Sequence, residues 1–459
     1  MVRIQNKIIR LCSIFMLIAI LLVTNSSSVS AKSYSVKKIK WSNVKTKRTM
    51  YKGTSKYFKV KITPSKAKKK KLQWYSSNKK IVRVNSKGLV KAVGNGTAYV
   101  TARVKTQKSK RVRCKITVKT KKVSSVKFSS SQKCLEVGQT YTRKPSVSPS
   151  YAYNRSVTYK SSNKKIASVS STGKVTARGI GYATITATAK DGSKKKGSYK
   201  VRVIGKIKSD STRFIAHRGL SAQAPENTRL AFELAAKEGY WGMETDVRMT
   251  KDNRFILLHD TTLKKMCGKD KRPEDMTYDE VRALKITGGN NISKYKNNKD
   301  ATQIADIEDY LKICIKYDKV PLIELKVEQK NGEKLNMKDE DMKRLYEEVK
   351  RIMGNKPYTF TSFNLETVIG MRHLKKKDND ADNVSLRHIV NSPDMENLSY
   401  YRRRGIQLDC NYKNVTLNTL SDFHSAGLTI CAWVIDDKET AWNYIQRDAD
   451  YITTNTKLW

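Results

Sequence analysis

The chain has 459 residues, which is too long for one ordinary domain and predicts two to four units. Its formal net charge is +52, but the charge is uneven. Residues 31–210 hold 49 basic and 3 acidic residues, whereas residues 211–459 carry a net charge of only +3. The composition is that of a globular protein, and the change in charge predicts a domain boundary near residues 205–213.

Residues 1–31 have the pattern of a secretory signal peptide. Three basic residues flank the start of the apolar run LCSIFMLIAILLV, and Val-Ser-Ala supplies small residues at the cleavage position after Ala31. The run is shorter than the roughly 20 residues of a spanning helix, which favours cleavage over an uncleaved anchor. We therefore expect a secreted or cell-surface protein. The cysteines beyond Ala31 are too sparse for a disulfide scaffold and lack C-x-x-C spacing, so most are predicted to be core residues.

The basic half contains an internal repeat with an offset of 85 residues. WYSSNKKIVRVNSKGLVKAVGNGTAYVTARV from Trp74 matches YKSSNKKIASVSSTGKVTARGIGYATITATA from Tyr159. In each copy, short runs with alternating apolar residues lie between Gly and Ser-Asn turns. This alternation predicts two small antiparallel all-β sandwiches.

The repeated pattern S-x-N-x-x-I-x-x-V, G-x-V-x-A and G-x-A-x-I/V-x-A resembles the group 2 bacterial immunoglobulin-like domain, over residues 38–120 and 121–204. The resemblance implies surface spacers or adhesive modules without catalysis. The lysines either keep an exported rod soluble or attract a polyanion. We favour an anionic cell-wall polymer or a membrane surface as the partner; nucleic acid is disfavoured because no reader motif is visible.

Residues 214–459, after a predicted linker at 205–213, alternate β-rich runs with helical stretches. Their length is close to the roughly 250 residues of a barrel of eight strand–helix units. Nine runs are strand candidates, namely FIAHR, METDV, FILLHD, PLIELK, YTFTSF, VSLRHIV, GIQLDC, LTICAWVI and YITT. Only seven residues separate the second run from the third, whereas a parallel crossover needs a dozen or more. FILLHD is therefore predicted to form a hairpin with METDV, which leaves eight parallel strands for an α/β TIM-type barrel. An open doubly wound sheet is the alternative.

Charged and aromatic residues concentrate at the carboxyl ends of these runs, where a barrel has its mouth. The residues at these ends are His217, Arg218, Glu244, Asp246, His259, Asp260, Glu324, Lys326, Phe363, Trp433 and Thr453 to Asn455. Such a density of charge is unfavourable in an ordinary core and indicates a functional site.

The spacing of the carboxylates indicates a cation site. Glu244 and Asp246 lie two positions apart on one strand and share a face, with Glu324 on another strand. Three carboxylates in one cavity repel one another unless a cation lies among them, and oxygen ligands suit Mg²⁺ or Ca²⁺ rather than zinc. The alternative is a structural ion-pair network with Arg218 and Lys326.

Two histidines at the same mouth favour catalysis over a purely structural network. His217 and His259 form a candidate acid–base pair near neutral pH. Together with a divalent metal and Arg218, they suit a phosphodiester: cations hold its non-bridging oxygens, one histidine deprotonates the nucleophile and the other protonates the leaving oxygen.

The motifs AHRG…APENT, METDVRMTKDNRFILLHD, LIELK, TSF and AWVI resemble, in order and spacing, those of the glycerophosphodiester phosphodiesterases over residues 214–459. The resemblance implies a TIM-type barrel, one divalent cation (Ca²⁺ or Mg²⁺), and hydrolysis of a glycerophosphodiester to an alcohol and sn-glycerol 3-phosphate. By that resemblance, His217 and His259 are catalytic, Glu244, Asp246 and Glu324 are metal ligands, Arg218 and Lys326 contact phosphate, and Phe363 and Trp433 line the pocket.

Some positions depart from the family pattern. Asp252-Asn253 replaces the usual Asp-Gly turn, KKMCG lacks the common arginine, and the last strand reads Ile-Thr-Thr-Asn where the family has Thr-Asp. Asn tolerates left-handed geometry, so the first change is expected to cost little. The departures leave substrate preference open.

Two alternative functions remain: a sphingomyelinase D-like phospholipid lyase, which shares the histidine and Glu-x-Asp pattern, and a catalytically inactive surface adhesin. The PENT segment and the insert at 264–305 favour the phosphodiesterase over the lyase. The intact histidines and carboxylates argue against an inactive adhesin.

Overall fold

A computed structural model describes residues 34–208, 212–326, 328–330, 333–335 and 337–459. The predicted signal peptide at 1–31 lies outside these residues. Within the described part, no helix has the length and apolar character needed to cross a bilayer.

Two β-sandwiches occupy the basic half. The strands of the first are β1 (Lys38–Trp41), β2 (Lys47–Tyr51), β3 (Ser55–Tyr57), β4 (Val60–Thr63), β5 (Leu72–Ser76), β6 (Val82–Val84), β7 (Leu89–Ala92), β8 (Gly96–Val104) and β9 (Gln107–Lys119). The strands of the second are β10 (Ser125–Lys127), β11 (Gln132–Glu136), β12 (Thr140–Thr142), β13 (Ser146–Ser148), β14 (Val157–Ser161), β15 (Ala167–Val169), β16 (Lys174–Ala177), β17 (Gly181–Ala189) and β18 (Lys196–Ile204).

The two sandwiches share one topology. The first sandwich contains a four-stranded sheet in the order β2–β9–β8–β5, a three-stranded sheet β3–β7–β6 and a two-stranded sheet β1–β4. The second sandwich contains the equivalent sheets β11–β18–β17–β14, β12–β16–β15 and β10–β13. The prediction of purely antiparallel sheets is wrong at one edge, since β2 pairs with β9 in parallel, as β11 does with β18. Period-2 alternation is the same for both strand directions, so the sequence did not distinguish them.

A tight turn precedes β16 in the second sandwich and β7 in the first, and each turn depends on a glycine. Gly173 has φ +86°, and a Cβ there would lie 2.8 Å from the Tyr159 ring. Gly88 has the same environment against the Trp74 ring in the first sandwich. The repeat therefore conserves both the backbone conformation and the aromatic contact.

Replacing Gly173 by alanine is expected to destabilise the second sandwich by more than about 1 kcal/mol, because the change adds backbone strain and a clash. Hydrogen exchange of the β16 and β17 amides in the full chain measures the effect. Gly138→Ala is the matched control, since Gly138 has φ +90° but no neighbouring atom within 4 Å of a Cβ. Equal losses in the two variants would show that the ring contact contributes nothing.

The near-neutral half forms a third domain of strands and helices. Its strands are β19 (Arg213–Ala216), β20 (Gly242–Met249), β21 (Phe255–Leu257), β22 (Val320–Leu325), β23 (Glu328–Lys330), β24 (Glu333–Leu335), β25 (Tyr358–Ser362), β26 (Val384–Val390), β27 (Ile406–Asn411), β28 (Ile430–Trp433) and β29 (Tyr451–Thr454). Its helices are α1 (Arg229–Lys237), α2 (Lys264–Cys267), α3 (Tyr278–Arg282), α4 (Ile292–Tyr295), α5 (Lys299–Thr302), α6 (Ile307–Tyr317), α7 (Asp339–Met353), α8 (Leu365–Lys377), α9 (Leu398–Arg404), α10 (Leu417–Ser425) and α11 (Lys438–Ile445), with 3₁₀ turns at Pro273–Asp275 and Tyr412–Asn414.

Eight parallel strands close a barrel in the order β19–β29–β28–β27–β26–β25–β22–β20, with β20 pairing back to β19. This closure confirms the predicted TIM-type barrel and excludes the open sheet. β21 pairs antiparallel with β20, as predicted for FILLHD. Asn253 takes φ +65° in the connecting turn, the left-handed geometry expected of a residue replacing glycine.

The segment predicted as a linker, 205–213, packs closely where it is described. Ile204 and Ile207 belong to the apolar core of the barrel domain. Gly205 lies directly against the Trp442 ring, where a Cβ would come within 2.2 Å. The second sandwich therefore joins the barrel through buried contacts rather than through an exposed tether.

Candidate active site

The chain turns sharply after β19, at Arg218 and Gly219. Both have positive φ values, +58° and +74°. A non-glycine residue in this region is strained, so surrounding contacts must hold it there. The Arg218 backbone N–H donates to Glu244 Oε2 at 2.9 Å. A Cβ on Gly219 would lie 2.6 Å from the Ala231 carbonyl carbon, so the turn requires glycine.

The Arg218 side chain is held among carboxylates. Its Nη1 lies 3.1 Å from Glu226 Oε1, and its Nε lies 3.1 Å from Asp246 Oδ2. Lys265 Nζ also contacts both oxygens of Glu226, at 2.9 Å each. The KKMCG segment thus supplies a lysine that contacts Glu226, although it lacks the arginine usual in the family pattern.

The three predicted metal ligands converge. Ligand oxygens of Glu244, Asp246 and Glu324 all lie within 4.8 Å of one another, and the three side chains are buried. Lys326 Nζ lies 2.7 Å from Glu324 Oε1 and 3.4 Å from Asp246 Oδ1. Glu244 Oε1 is buried without a hydrogen-bond partner among the described residues. A buried carboxylate oxygen without a donor is costly unless a cation completes its environment.

The carboxylates differ in their proton affinity. Burial, reinforced by the negative charge of Asp246 and then of Glu324, raises the pKa of Glu244 well above its ordinary value. Burial and the charge of Asp246 raise the pKa of Glu324 to about 7. Burial also acts to raise the pKa of Asp246, but Lys326 and Arg218 outweigh it and hold that pKa below its usual range. Lys326 and Arg218 therefore neutralise only part of the negative charge of the three carboxylates. The carboxylate oxygens of the cluster fit one divalent cation.

The two predicted catalytic histidines face the same space with different Nδ1 partners. His217 Nδ1 lies 2.8 Å from Asn455 Oδ1, and His259 Nδ1 lies 2.8 Å from Asp260 Oδ1. Burial and the charge of Arg218 lower the pKa of His217 to about 4. Burial also lowers the pKa of His259, against the opposing charge of Asp246. Burial thus favours the neutral form of both imidazoles in the metal-free chain.

A cavity of about 180 Å³ opens between the histidines and the carboxylates. Phe363 and Trp433 form one wall, with ring centroids 5.7 Å apart in an edge-to-face arrangement. Lys326 does not line this cavity; its ammonium group contacts the carboxylates of Glu324 and Asp246. The lining residues are His217, Arg218, Glu244, His259, Leu322, Glu324, Thr361, Phe363, Ile389, Asp409, Trp433, Val434 and Thr453.

Sequence reasoning missed two polar contributions to the barrel interior. Asp409 on β27 lines the cavity and pairs with the buried Arg387 of β26. Asn227 donates to Asp246 Oδ2 at 2.8 Å and accepts from Thr245 Oγ1 at 2.9 Å, so it holds the first loop against β20. Arg387 and Asp409 sit within apolar runs, and only their alternation with interior residues could have indicated where they point.

A family model described as the glycerophosphoryl diester phosphodiesterase family matches residues 217–456, just over half of the chain. The chain belongs to this family. A second model, the group 2 bacterial Ig-like domain, matches residues 36–115 and 122–199. Both predicted resemblances are thereby confirmed.

Individual relatives match different shares of the chain. The putative glycerophosphodiester phosphodiesterase YhdW of Bacillus subtilis is 29% identical over 52% of this chain and 93% of its own length. The uncharacterized protein YqiK of the same organism is 38% identical over 25% of this chain and 45% of its own length. Mouse glycerophosphodiester phosphodiesterase 1 is 28% identical over 37% of this chain and 47% of its own length. The chain thus spans about half the length of the last two.

Solved structures also match just over half of the chain. A phosphodiesterase of Oleispira antarctica, solved in complex with the product sn-glycerol-3-phosphate, is 22% identical with a TM-score of 0.46, over 54% of this chain and 94% of that one. A glycerophosphodiester phosphodiesterase of Parabacteroides distasonis is 24% identical with a TM-score of 0.43, over the same shares.

Proposed function

We propose that the chain is an exported, metal-dependent glycerophosphodiester phosphodiesterase that releases an alcohol and sn-glycerol 3-phosphate. Two histidines, Arg218, Glu244 and Glu324 line one cavity, and the buried carboxylate of Asp246 lies within 4.8 Å of the other two; this convergence carries the proposal. Membership of the phosphodiesterase family supports the reaction class.

Glu244, Asp246 and Glu324 would hold one Ca²⁺ or Mg²⁺ ion, since oxygen donors suit these hard cations. Glu244 Oε1, which has no hydrogen-bond partner in the part of the chain that the structure describes, supports this assignment. When bound, such an ion supplies positive charge to the non-bridging phosphate oxygens.

The side chains of the cavity divide the remaining tasks. Arg218 adds fixed positive charge beside the phosphate, and Lys326 adds positive charge from its contacts with Glu324 and Asp246. One neutral histidine removes the proton of the attacking hydroxyl, and the other, protonated when the anionic phosphate is bound, gives its proton to the leaving alcohol oxygen. If the glycerol 2-hydroxyl attacks, a cyclic phosphate forms as the alcohol leaves. Water then opens the ring, with the two histidines exchanging roles. Phe363 and Trp433 hold the apolar side of the substrate.

The proposal is tested with a panel of diesters assayed in EDTA-treated protein with Ca²⁺ or Mg²⁺ restored. We expect cation-dependent release of sn-glycerol 3-phosphate from glycerophosphocholine. Cleavage of sphingomyelin or lysophosphatidylcholine to a stable cyclic phosphate would instead support the lyase. A folded protein that cleaves none of these would support the inactive adhesin.

We further propose that export and surface retention place the enzyme outside the cell. The signal pattern of residues 1–31 supports export, and N-terminal sequencing of the exported chain, expected to begin at Lys32, tests it. The charge of the Ig-like domains supports retention on an anionic wall polymer or membrane surface. On the outer face of β5, β8 and β9, Arg103 and Arg113 stack on Tyr75 and Tyr99, at 4.2 and 3.8 Å from the ring centroids.

Removing part of this charge should weaken binding to a polyanion. The lysines at 68–71 are exposed, and changing all four to glutamine is expected to lower affinity of the full chain for poly(glycerol phosphate) and for phosphatidylglycerol vesicles. Co-sedimentation over a range of NaCl concentrations measures the loss, which should shrink as salt screens the charge. The reciprocal control changes Lys338 and Lys343 of the barrel domain. Unchanged, salt-insensitive binding in the quadruple variant would contradict the proposed role.

A further inference from the structure

An acidic residue outside the predicted site organises the end of β29. Asp436 follows β28, and its Oδ1 accepts from Thr454 Oγ1 at 3.0 Å and from the Asn455 backbone N–H at 2.7 Å. Its Oδ2 accepts from Asn455 Nδ2 at 2.7 Å. The carboxylate therefore contacts this short segment through three separate hydrogen bonds.

These bonds fix the orientation of the Asn455 amide. A carboxylate only accepts hydrogen bonds, so the NH₂ group of Asn455 must face Asp436, and rotating the amide would bring two oxygens together. The amide oxygen consequently points the other way, 2.8 Å from His217 Nδ1 and 2.8 Å from Ser221 Oγ. Ser221 Oγ also lies 2.8 Å from the His217 carbonyl oxygen and so holds the same turn.

The amide oxygen in turn determines which nitrogen of neutral His217 carries the proton. Because an amide oxygen only accepts, Nδ1 must carry the hydrogen, and Nε2 then has a free lone pair. His217 Nε2 faces the carboxylate cluster, 4.0 Å from Glu244 Oε2, and the residue lines the cavity. The proton-accepting atom is thus on the side where the substrate would bind.

We propose that Asp436 and Asn455 are positioning residues that hold neutral His217 in the Nδ1–H tautomer, so that Nε2 is the atom that accepts a proton from the reacting hydroxyl. The proposal rests on the proposed function for its catalytic consequence, but the tautomer itself is a property of the chain. The Nδ1 partner of His259 is different, because it is the carboxylate of Asp260 rather than a neutral amide.

The tautomer is measured by long-range ¹H–¹⁵N correlation spectra of the full chain labelled with ¹⁵N-histidine, and His217→Ala assigns the signal among the five histidines. We expect wild-type His217 to show a protonated Nδ1 and a bare Nε2. Asn455→Leu removes the acceptor and should add the Nε2–H form. In this variant kcat should fall about 10- to 100-fold, the scale of a lost orienting hydrogen bond, with little change in KM.

Exchanging the two groups provides the sharpest test. Asp436→Asn alone releases the amide and should produce a tautomer mixture. In the double variant Asp436→Asn, Asn455→Asp, the new carboxylate at 455 accepts from His217 Nδ1, and the new amide at 436 donates to that carboxylate. The Nδ1–H signal and most of the lost kcat should therefore return. Asp450→Asn is the matched control: Asp450 accepts from His424 Nε2 at 3.0 Å and from the Ile430 N–H, and its loss should leave the His217 signal unchanged.

The outcomes separate this proposal from the proposed function. An Nε2–H signal in the wild-type protein overturns the tautomer assignment, even if diesters are cleaved. An Nδ1–H signal in a protein that cleaves no diester overturns the phosphodiesterase proposal and leaves the tautomer assignment in place. If a variant fails to fold, the wild-type spectrum still decides the tautomer. A His217 signal that is unchanged in folded Asn455→Leu rules out the positioning role.

Discussion

Replacing His217 or His259 by alanine is expected to lower kcat for glycerophosphocholine by about 100- to 10,000-fold, the range for loss of a general acid or base. Each ring lines the cavity and is only partly buried, with side-chain exposures of 21% and 35%. Their removal therefore takes away proton transfer without opening the apolar core. Release of sn-glycerol 3-phosphate measures activity, and circular dichroism checks the fold.

Two histidines away from the mouth provide matched controls. His373 is exposed on α8, and His424 on α10 pairs with Asp450 at 3.0 Å. Alanine at either position should leave kcat within about twofold of wild type, as expected of residues that touch no reacting atom. Full activity in the His217 or His259 variant would refute the assignment of that histidine to the acid–base pair.

Changing Glu244 to glutamine should have opposite effects on activity and on the stability of the metal-free protein. The variant lacks a carboxylate ligand, so we expect loss of cation-dependent turnover and of the stabilisation that Ca²⁺ or Mg²⁺ gives to the folded state. In EDTA, however, the variant should melt about 2–8 °C higher, because a buried and mutually repelling carboxylate has been neutralised. Differential scanning calorimetry with and without cation measures both effects.

The sign of this stability effect follows from the raised pKa values. A carboxyl whose pKa is higher in the folded than in the unfolded protein destabilises the fold progressively as pH rises above its ordinary value. The pKa of Glu324 rises from 4.5 to about 7, and that of Glu244 also rises. The difference in melting temperature between the Glu244→Gln variant and wild type should therefore be small near pH 4.5 and grow toward pH 7. Glu340→Gln, which alters an exposed carboxylate on α7, should change neither the cation-dependent turnover nor the melting temperature in EDTA.

The sequence was sufficient to predict the barrel, the hairpin and the convergence of the site. Strand ends in a closed parallel barrel must meet at one mouth, so a strand count and the position of each charged residue placed His217, Glu244 and Glu324 together. The repeat likewise predicted two sandwiches of equal design. These features depend on periodicity and chain connectivity, which the sequence carries directly.

Features that depend on three-dimensional partners were less accessible. Three such features are the parallel β2–β9 edge, the left-handed backbone of Arg218 and the contact between Asp436 and Asn455. Each depends on contacts between residues that lie far apart in the sequence. Asp436 stands beside Asp437 in the sequence, and only the fold shows that the second caps α11 while the first holds the end of β29. Lys326 was predicted to contact phosphate; it contacts Asp246 and Glu324 and does not line the cavity, so that contact stays a prediction.

The packed junction at Ile204, Gly205 and Ile207 determines how the catalytic domain should be isolated. A truncation that starts at residue 208 or later would remove Ile204 and Ile207 from the apolar core of the barrel domain and Gly205 from the face of the Trp442 ring. Cutting between the two sandwiches, near residues 120–121, keeps that interior closed. Recombinant fragments that begin after residue 121 should consequently be more soluble than those that begin at residue 212.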